Sequence, residues 1–418
     1  MKSALKKRSE HGLESWVLFI DLVKAFDKVP RDLLWKVLRK IGVPEKLVRL
    51  LISLHCNFDV QFSVDGVVQK LQCSVGVKQG DVLGPILFNF YIAAIMSSWR
   101  KLHEGELCLF RSKEDFVMTG RKPTAAGEEF PLLDSEYADD AGVLFPTRHS
   151  LATETPKLIH HFQRFGMEIH LGNTRTEKAS KSEILFVAKP RIMYDDPDTY
   201  DGADLSNLDL GYGLFIPIVA EFVYLGSTIS RDCSDEADVD ARIDAAGNAF
   251  GALREKIFSS TMVTMKVKKF CYVALILSIL LYGSECWTLT EKLYNRLRNF
   301  HHRCLRNMCR VTRLHTRKHS ISNADIIERT GISPIDSYVS LRQLRWAGHV
   351  ARMDFSRLPR KMLSSWVTNK RPRGAPRMTY GRGIRKALKK AGTVLNELST
   401  LAQDRLLWRK TIRNAFPI

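Results

Sequence analysis

Three aspartates at the ends of apolar stretches are the residues of this sequence best suited to chemistry. Asp139 and Asp140 are adjacent within residues 135–144 (SEYADDAGVL), whose composition is typical of two short strands joined by a tight turn. Asp21 follows the continuous apolar run 16–20 (WVLFI), as expected of a buried strand. Adjacent carboxylates repel each other unless a divalent cation lies between them. If Asp139 and Asp140 were the only acids, a solvated Asp-Asp turn would be a sufficient explanation. The third acid, Asp21, is what favours a metal site.

Carboxylates on neighbouring strands suit one class of reaction in particular. Three of them can hold two Mg²⁺ ions about 3.5–4 Å apart, which clamps an in-line phosphoryl displacement. Such catalysis consists mainly of positioning and charge neutralisation, so it needs carboxylates rather than a serine or histidine nucleophile. The sequence therefore predicts a phosphoryl-transfer site with two Mg²⁺ ions, or Mn²⁺ in their place.

Several segments of the chain resemble the ordered motifs of reverse transcriptases from non-LTR (LINE-type) retrotransposons. They are the first palm motif at 19–31 (FIDLVKAFDKVPR), the second at 76–88 (GVKQGDVLGPILF), the third at 137–140 (YADD), the fourth at 165–170 (FGMEIH) with 181–185 (KSEIL), the primer-grip hairpin at 222–229 (FVYLGSTI) and the region after the thumb at 344–353 (LRWAGHVARM). The resemblance covers nearly the whole chain. It implies an RNA-directed DNA polymerase that adds dNTPs to a DNA primer on an RNA template.

The resemblance also implies a fold and an order of domains. The fold class would be α+β: a right-hand polymerase palm with an antiparallel sheet and helices on one face, then a helical thumb and a basic, mostly helical C-terminal region. We assign the palm to residues 1–190, a loop and the primer-grip hairpin to 191–234, the thumb to 235–310 and the nucleic-acid-binding region to 311–418.

Residues that match the family's catalytic positions take the corresponding roles by resemblance. Asp21 and Asp139 would be the two essential metal ligands, with Asp140 a weaker contributor beside them. Phe26 matches the bulky gate that clashes with a ribose 2′-hydroxyl, although an ordinary core aromatic on a short turn is the alternative. Both roles concern the same pocket, in which the incoming nucleotide meets the metal ions.

Other matching residues would bind the nucleotide and act on its leaving group. Gln79 and Gly80 match the pair that lines the nucleotide pocket, where a glycine lets the backbone approach the nascent base pair closely. Lys181 matches the lysine proposed to protonate the departing pyrophosphate. Lys178 and Lys189 compete with it for this alignment, so the identity of the lysine stays open.

The primer-grip hairpin carries the last set of matched residues. Tyr224, Leu225 and Gly226 occupy its tip by the resemblance, where they would hold the primer strand. The partners implied are thus an RNA template, a DNA primer and dNTPs.

The positive charge of the chain belongs to its C-terminal part. Residues 291–418 hold 29 Lys and Arg against 7 Asp and Glu, a net charge of +22; the whole chain carries +19, which leaves −3 for residues 1–290. Such a local excess indicates a polyanionic partner. Tryptophans interleave with the arginines, the mixture expected of a surface that binds phosphates and stacks bases. An amphipathic membrane-surface segment is the rival interpretation, but Pro and Gly interrupt residues 371–383.

Nothing in the sequence predicts secretion or a membrane partner. The longest apolar run, residues 271–282, is shorter than the about 20 residues that a spanning helix needs. The N-terminus is basic but lacks a cleavable apolar region. Eight scattered cysteines indicate free thiols in a reducing compartment. We therefore expect an intracellular protein of the nucleus or cytoplasm.

One cysteine–histidine grouping has ligand types that suit zinc. Cys304 and Cys309 precede His315 and His319, but the central gap is much shorter than the about 12 residues of a C2H2 finger. The surrounding apolar residues follow the spacing of an amphipathic helix. We therefore favour a helix over a zinc site.

Periodicity predicts the elements around the motifs. Pro30 should open a helix that ends near Gly42, and Pro85 should lie in the first turn of another. The expected core residues are Leu33, Leu34, Val37, Leu38 and Ile41 in the first helix and Ile86, Leu87, Phe90, Ile92 and Ile95 in the second. Residues 58–64 and 67–71 should pair about Asp65-Gly66, 105–134 should form an insertion with weak strands, 151–165 a helix, 190–217 an exposed loop and 235–300 a set of helices.

The segment before Asp21 has only 20 residues, whereas the resemblance implies a fingers subdomain of many tens of residues there. The endonuclease domain that accompanies such polymerases is also not found. We therefore expect a chain truncated at its start. Because fingers residues bind the incoming triphosphate, an alternative function is a catalytically inactive, transposon-derived nucleic-acid-binding remnant. A metal nuclease is a weaker third choice, since nothing supplies a separate hydrolytic site.

Overall fold

A computed structural model describes residues 1–56, 59–114, 127–188, 199–200, 203–372 and 378–418. The contacts divide the chain into two compact units. The first unit comprises Met1, Glu14–Cys108 and Pro131–Ala220, and the second comprises Lys2–Leu13, Leu109–Phe130 and Glu221–Ile418.

The elements alternate along the first half of the chain and are mostly helical in the second. The strands are β1 (Ser15–Ile20), β2 (Asp59–Val64), β3 (Val67–Gln72), β4 (Cys108–Ser112), β5 (Glu128–Leu132), β6 (Asp134–Tyr137), β7 (Asp140–Phe145), β8 (Gly172–Asn173), β9 (Glu183–Val187), β10 (Thr199–Tyr200), β11 (Ala203–Asp204), β12 (Asn207–Gly211), β13 (Leu214–Val219), β14 (Glu221–Tyr224), β15 (Ser227–Ser230) and β16 (Ser365–Trp366). The α-helices are α1 (Lys2–Glu10), α2 (Arg31–Lys40), α3 (Glu45–His55), α4 (Gly84–Leu102), α5 (Arg148–Arg164), α6 (Glu236–Leu253), α7 (Met265–Cys271), α8 (Leu277–Leu280), α9 (Glu291–Met308), α10 (Arg313–Lys318), α11 (Asn323–Thr330), α12 (Ile335–Ala351), α13 (Leu358–Leu363), α14 (Tyr380–Lys390), α15 (Leu398–Gln403) and α16 (Arg405–Ala415).

The first unit is built on one mixed sheet with the strand order β12-β13-β9-β1-β7-β6, and β8 pairs with β13. All its pairings are antiparallel except β13 with β9. Every residue of β1 is buried, because the strand lies between β7 and β9. The strand predicted from the apolar run is therefore confirmed, and the unit has the α+β composition expected.

Helices α2, α4 and α5 contribute to one core with the sheet face that carries Trp16, Leu18 and Ile20. The helix predicted after Pro30 is confirmed as α2, and Pro85 lies at the start of α4. Within these helices the apolar faces are narrower than predicted. The core assignments of Ile41, Ile86 and Phe90 are wrong, because all three side chains are exposed. Ile86 and Phe90 lie outside the buried stripe of α4, and Ile41 follows the last residue of α2.

The expected loop at 190–217 is wrong for its last part. Residues 207–211 and 214–219 form strands β12 and β13 of the main sheet. Gly211 ends β12 and Gly213 lies in the turn that follows, both with φ near +80°, so the Asp/Gly/Asn composition marks a turn there. Residues 189–198 and 201–202 lie outside the described residues.

Two other local predictions agree with the structure. The hairpin about Asp65-Gly66 is confirmed as β2 and β3, although Phe58 lies outside the described residues. The helix expected at 151–165 is α5. Both predictions depended on short-range sequence patterns. Packing against neighbouring elements does not override those patterns here.

The second unit is largely helical. Helices α6 to α9 and α11 to α12 share one core, which confirms the helical prediction for residues 235–300, and α12 packs with α14 to α16 in another. Strands β4 and β5, the weak strands predicted within 105–134, form a small sheet with β16. Within the described residues, no helix is both long and apolar enough to cross a membrane.

Helix α1 belongs to the second unit and is fixed there by ion pairs. The Lys2 ammonium lies 2.8 Å from Asp235 and 3.0 Å from Asp238, and Lys6 pairs with Asp235. All four side chains are largely buried. The basic N-terminal cluster therefore includes two lysines with internal carboxylate partners.

Candidate catalytic site

The aspartate pair lies at the tip of a two-residue hairpin turn. Tyr137 pairs with Asp140, which leaves Ala138 and Asp139 as the turn. Ala138 has φ +55°, a conformation uncommon for a residue other than glycine. Such backbone strain is often found at functional sites. The turn exposes Tyr137, Asp139 and Asp140 to solvent.

Strand register brings Asp21 to the side of this turn. Ile20 is paired with Ala141, so continuing the register by one residue sets Asp21 opposite Asp140. Both Ile20 and Ala141 belong to the core, and alternation along the strands therefore puts the two acids on the other face. Directly opposed residues of antiparallel strands have Cα atoms about 4.5–5.5 Å apart.

The carboxylates of this cluster affect one another electrostatically. Partial burial, followed by the negative charges of Asp139 and Asp21, raises the pKa of Asp140 above its ordinary value. Among the described residues, however, no group of three or more His, Cys, Asp or Glu side chains is arranged to hold a metal ion. The strand pairing therefore makes the three acids neighbours, and it does not arrange them as a preformed cage.

The main chain of Asp21 is held by residues that sequence reasoning did not identify. Its amide donates to Ser182 Oγ at 3.1 Å, and its carbonyl accepts from the His170 amide at 2.8 Å. Burial first, and then the charge of Lys178, lower the pKa of His170, while Asp21 opposes the shift. Ser182 and His170 lie in the segments that resemble the fourth motif, which was the available signal.

Lys181 lies close to this anchor. Its amide donates to His170 Nδ1 at 3.2 Å, and its side chain is exposed. The positive charges of Lys178 and Lys181 both contribute to the lowered pKa of His170. Lys189 lies outside the described residues, and the choice between Lys178 and Lys181 stays open.

Gln79 and Gly80 lie on the loop between β3 and α4. Gln79 donates from Nε2 to Asp27 Oδ1 at 3.0 Å. Gly80 has φ +83°, and a Cβ atom placed on it would meet open space. In this structure, glycine is therefore favoured at position 80 by its backbone conformation and not by a lack of space for a side chain. Close approach to a base pair, the reason predicted from the sequence, is untested.

Arg31 fastens the beginning of that loop to α3. Its guanidinium donates to the carbonyl oxygens of Gly76 (2.8 Å), His55 (2.9 Å), Cys73 (2.7 Å) and Val75 (3.1 Å). Only arginine has enough N–H donors in one rigid group to bind four carbonyl oxygens at once. Sequence reasoning missed this function, although Arg31 ends the first motif.

Phe26 is half-buried and stacks on Phe88, with ring centroids 4.5 Å apart and an interplanar angle of 21°. Its ring is packed against the core, as the alternative interpretation predicted. The half that remains exposed is available to a ligand. Both interpretations of Phe26 are therefore still open.

The predicted primer-grip residues lie in the second unit, in the hairpin β14–β15. Leu225 and Gly226 form its turn with φ +49° and +72°, and Tyr224 is buried. Tyr282 donates its hydroxyl to the Leu225 carbonyl at 3.0 Å. This contact fixes the tip of the hairpin.

The start of β15, directly after this turn, is fixed by the buried carboxylate of Asp238. It accepts from Ser227 Oγ at 2.6 Å, from the Thr228 amide at 3.1 Å and from Trp287 Nε1 at 2.8 Å. Burial alone would raise the pKa of Asp238, but the charge of Lys2 and the hydrogen bonds from Ser227, Trp287 and Lys2 hold it below its ordinary value.

The cysteine–histidine grouping is spread over two environments. Cys304 lies in the core of the second unit, where burial raises the pKa of its thiol to about 12. His315 lies on α10 and His319 follows its last residue, with the two ring centroids 4.3 Å apart. The predicted amphipathic helix is confirmed as α9, which buries Leu297, Phe300, Leu305 and Met308, and Cys309 follows its last residue.

Comparisons with known proteins agree with these features. The family described as reverse transcriptase (RNA-dependent DNA polymerase) matches residues 1–226, more than half of the chain. An uncharacterized transposon-derived protein of Caenorhabditis elegans is 27% identical over 286 residues, which are 68% of this chain and 95% of that protein. The retrovirus-related Pol polyprotein from the type-1 retrotransposable element R2 of Popillia japonica is 29% identical over 94 residues, 22% of this chain and 16% of the polyprotein.

Proposed function

Because the chain belongs to the reverse transcriptase family, in its non-LTR retrotransposon branch, we propose that it is an RNA-directed DNA polymerase module working by two-metal catalysis. The observation that carries this proposal is the juxtaposition of Asp21 and Asp140 beside the turn that bears Asp139. The substrates are dNTPs, a DNA primer and an RNA template.

In this proposal Asp21, Asp139 and Asp140 hold the metal ions. The cluster fits hard divalent cations, because it offers only oxygen ligands and its carboxylates already repel one another. Bound Mg²⁺ would lower the cost of bringing the triphosphate and the primer hydroxyl together. Ser182 and His170 keep the Asp21 main chain in place, so its carboxylate starts from a defined position.

The remaining residues of the first unit bind and orient the nucleotide. Gln79 and Gly80 line the nucleotide pocket, Phe26 excludes the ribose 2′-hydroxyl, and Lys181 donates a proton to the departing pyrophosphate. The exposure of the Lys181 side chain supports its access to a leaving group, and the bond from its main-chain amide to His170 anchors its backbone.

The second unit would hold the nucleic acid in this proposal. Tyr224, Leu225 and Gly226 form the primer grip, and residues 235–310 the thumb. Residues 311–418 supply a basic surface for the template and primer.

A nucleic-acid-binding remnant without catalysis is the second candidate. It is favoured by one observation: no three-ligand group is arranged for a metal among the described residues. It would keep the fold and the basic C-terminal region while leaving the aspartates without a role.

A primer-extension assay on the full chain separates the two candidates. The assay contains an RNA template with an annealed DNA primer, four dNTPs and either Mg²⁺ or Mn²⁺. The polymerase proposal predicts extension that requires the metal and stops when a chelator is added. Tight binding of the same template–primer without extension at any concentration of either metal would overturn it in favour of the remnant.

A further inference from the structure

Helices α12 and α16 pack closely in the second unit. Leu344 and Ala347 of α12 share a core with Trp408 and Ile412 of α16. A side chain at Gly348 would collide with the indole of Trp408. The glycine therefore lets the two helices approach, which brings the residues beside the contact on each helix together.

Those flanking residues are arginines. On α16, Arg405, Arg409 and Arg413 repeat every four residues, so they lie along one side of the helix about 6 Å apart. Arg345 lies on α12 and Arg352 is the residue that caps its C-terminal end, seven positions or two turns further along the same side. All are exposed except Arg352, which is half-buried.

The two rows face each other. Burial and then the charges of neighbours, Arg413 first, lower the pKa of Arg345. Burial and the charges of Arg405 and Arg409 do the same to the pKa of Arg352. Two hydrogen bonds give the same arrangement: Arg352 donates to the Ala402 carbonyl before α16 at 2.8 Å, and Ser333 before α12 donates to the Pro417 carbonyl after α16 at 2.7 Å. The helices are therefore antiparallel, with Arg345 toward Arg413 and Arg352 toward Arg405. We call these five residues the arginine seam.

Carboxylates do not neutralise the seam. In the described parts of the chain, no ion pair joins Arg345, Arg409 or Arg413 to an acid. The carboxylate of Asp404, next to Arg405 in the chain, accepts hydrogen bonds from two amides at the start of α16. Elsewhere in the unit arginines do have acidic partners, as where Arg342 approaches Glu285 at 3.4 Å.

Like charges held together without acids destabilise the free protein, and a bound polyanion removes that cost. Each guanidinium offers a planar fork that matches phosphate oxygens. Two rows on helices about 8–10 Å apart can follow a continuous line of phosphates rather than a single anion. Base recognition would instead need side chains that enter a groove.

We propose that the arginine seam binds the sugar–phosphate backbone of the RNA–DNA duplex formed by template and primer, without regard to its sequence. This inference rests on the proposed function, because reverse transcription is what supplies such a duplex. It goes further by assigning the contact to one surface of the basic region.

The test compares three variants of the full chain. The seam variant is Arg345→Gln, Arg409→Gln and Arg413→Gln together; Arg352 is kept because it also donates to the Ala402 carbonyl at 2.8 Å. The control removes the same charge in the first unit, outside the proposed nucleic-acid-binding regions, by Lys40→Gln, Lys46→Gln and Lys101→Gln, all exposed. The third variant replaces the three seam arginines by lysine. Circular dichroism and thermal unfolding verify that each variant folds.

Binding of a short blunt-ended RNA–DNA hybrid is measured by fluorescence anisotropy over a range of salt concentrations. The seam variant should bind about tenfold or more weakly at physiological salt, and its log–log salt slope should be smaller by about three, one per lost phosphate contact. The control should change both quantities much less, and the lysine variant should keep most of the slope while losing affinity.

Three results would overturn the inference. These are equal losses in the seam variant and the control, a seam effect confined to single-stranded RNA, and no binding of nucleic acid by the parent chain. Equal losses combined with normal primer extension would leave the proposed polymerase function intact. Failure of primer extension with a seam-specific loss of binding would leave the seam intact.

Discussion

The Asp21 amide donates a 3.1 Å hydrogen bond to the hydroxyl of Ser182, although the two residues are 161 positions apart. Ser182 is buried next to β9, which lies beside β1 in the sheet. The contact joins the segment that resembles the first motif to the one that resembles the fourth. It indicates that Asp21 depends on its neighbouring strand for its position.

Ser182→Ala should lower the rate of nucleotide incorporation and cost the protein a modest amount of stability. Loss of the hydroxyl leaves the Asp21 amide without its partner, which costs about 1–3 kcal/mol in stability and loosens the carboxylate. We expect kcat to fall about tenfold with little change in the KM for dNTPs. Steady-state primer extension and thermal unfolding measure the two effects.

The matched control for Ser182 is Ser259→Ala in the second unit, which removes a 2.9 Å bond to Asn307. It should cost similar stability without changing kcat. Equal kcat values for Ser182→Ala and the parent would show that Ser182 does not position Asp21.

Phe26→Ala should weaken discrimination against ribonucleotides. If the exposed half of the ring is the gate, its removal admits the 2′-hydroxyl, and the ratio of dNTP to rNTP incorporation should fall about tenfold or more, a change of about 1.4 kcal/mol. Single-nucleotide incorporation with each substrate measures the ratio.

Phe88→Ala is the control for this prediction, because Phe88 is the fully buried partner in the stack. It should lower stability by about 3–5 kcal/mol and leave the ratio unchanged. An unaltered ratio in Phe26→Ala would assign that ring to the core alone.

Arg31→Lys should loosen the loop that leads to Gln79. A lysine cannot reproduce four donor bonds to the carbonyls of α3 and the loop, although it keeps the charge. The amides of Gly76 and Val77, which donate to Val29 and Phe26, should exchange faster with solvent deuterium. The KM for dNTPs should rise more than kcat falls.

Arg39→Lys provides the comparison, since Arg39 forms an exposed pair with Glu45 at 2.8 Å. It should alter neither exchange nor KM. Unchanged exchange at Gly76 and Val77 in Arg31→Lys would contradict the anchoring function.

Asp238→Asn should destabilise the second unit at neutral pH by about 3–5 kcal/mol, because it leaves Lys2 without one of its buried partners. The folded-state pKa of Asp238 lies below its unfolded value, so its contribution is present above about pH 4 and is lost as the pH falls further. Thermal unfolding of the variant should therefore vary less with pH below about 4 than that of the parent.

Asp240→Asn on the same helix is the control, because its pair with Arg296 at 2.7 Å is far more exposed. Its effect should be within about 1 kcal/mol at every pH. Similar effects of the two substitutions would mean that burial does not strengthen the Asp238 contacts.

Local sequence patterns predicted the elements that depend on short-range chemistry. The apolar run of β1, the proline before α2 and the Asp65-Gly66 turn each agree with the structure. The position of Asp21 opposite Asp140 follows from strand pairing, which the motif order suggested.

The sequence could not predict contacts between distant segments. The Ser182 contact with Asp21 and the lysine–aspartate pairs of α1 depend on which strands and helices become neighbours. Strands β12 and β13 were missed because their turn glycines made the segment look like a loop. Exposure of Ile86 and Phe90 reflects the rotation of α4, which its own sequence does not determine.

Substitution of the proposed metal ligands tests the central claim most directly. Asp21→Asn and Asp139→Asn are compared with the parent and with Asp32→Asn, an exposed acid on α2, in metal-dependent primer extension and in template–primer binding. We predict that both ligand variants lose extension by a factor of about 10³ or more while binding changes little, and that Asp32→Asn behaves as the parent. Extension at the parental rate in Asp139→Asn would contradict the account.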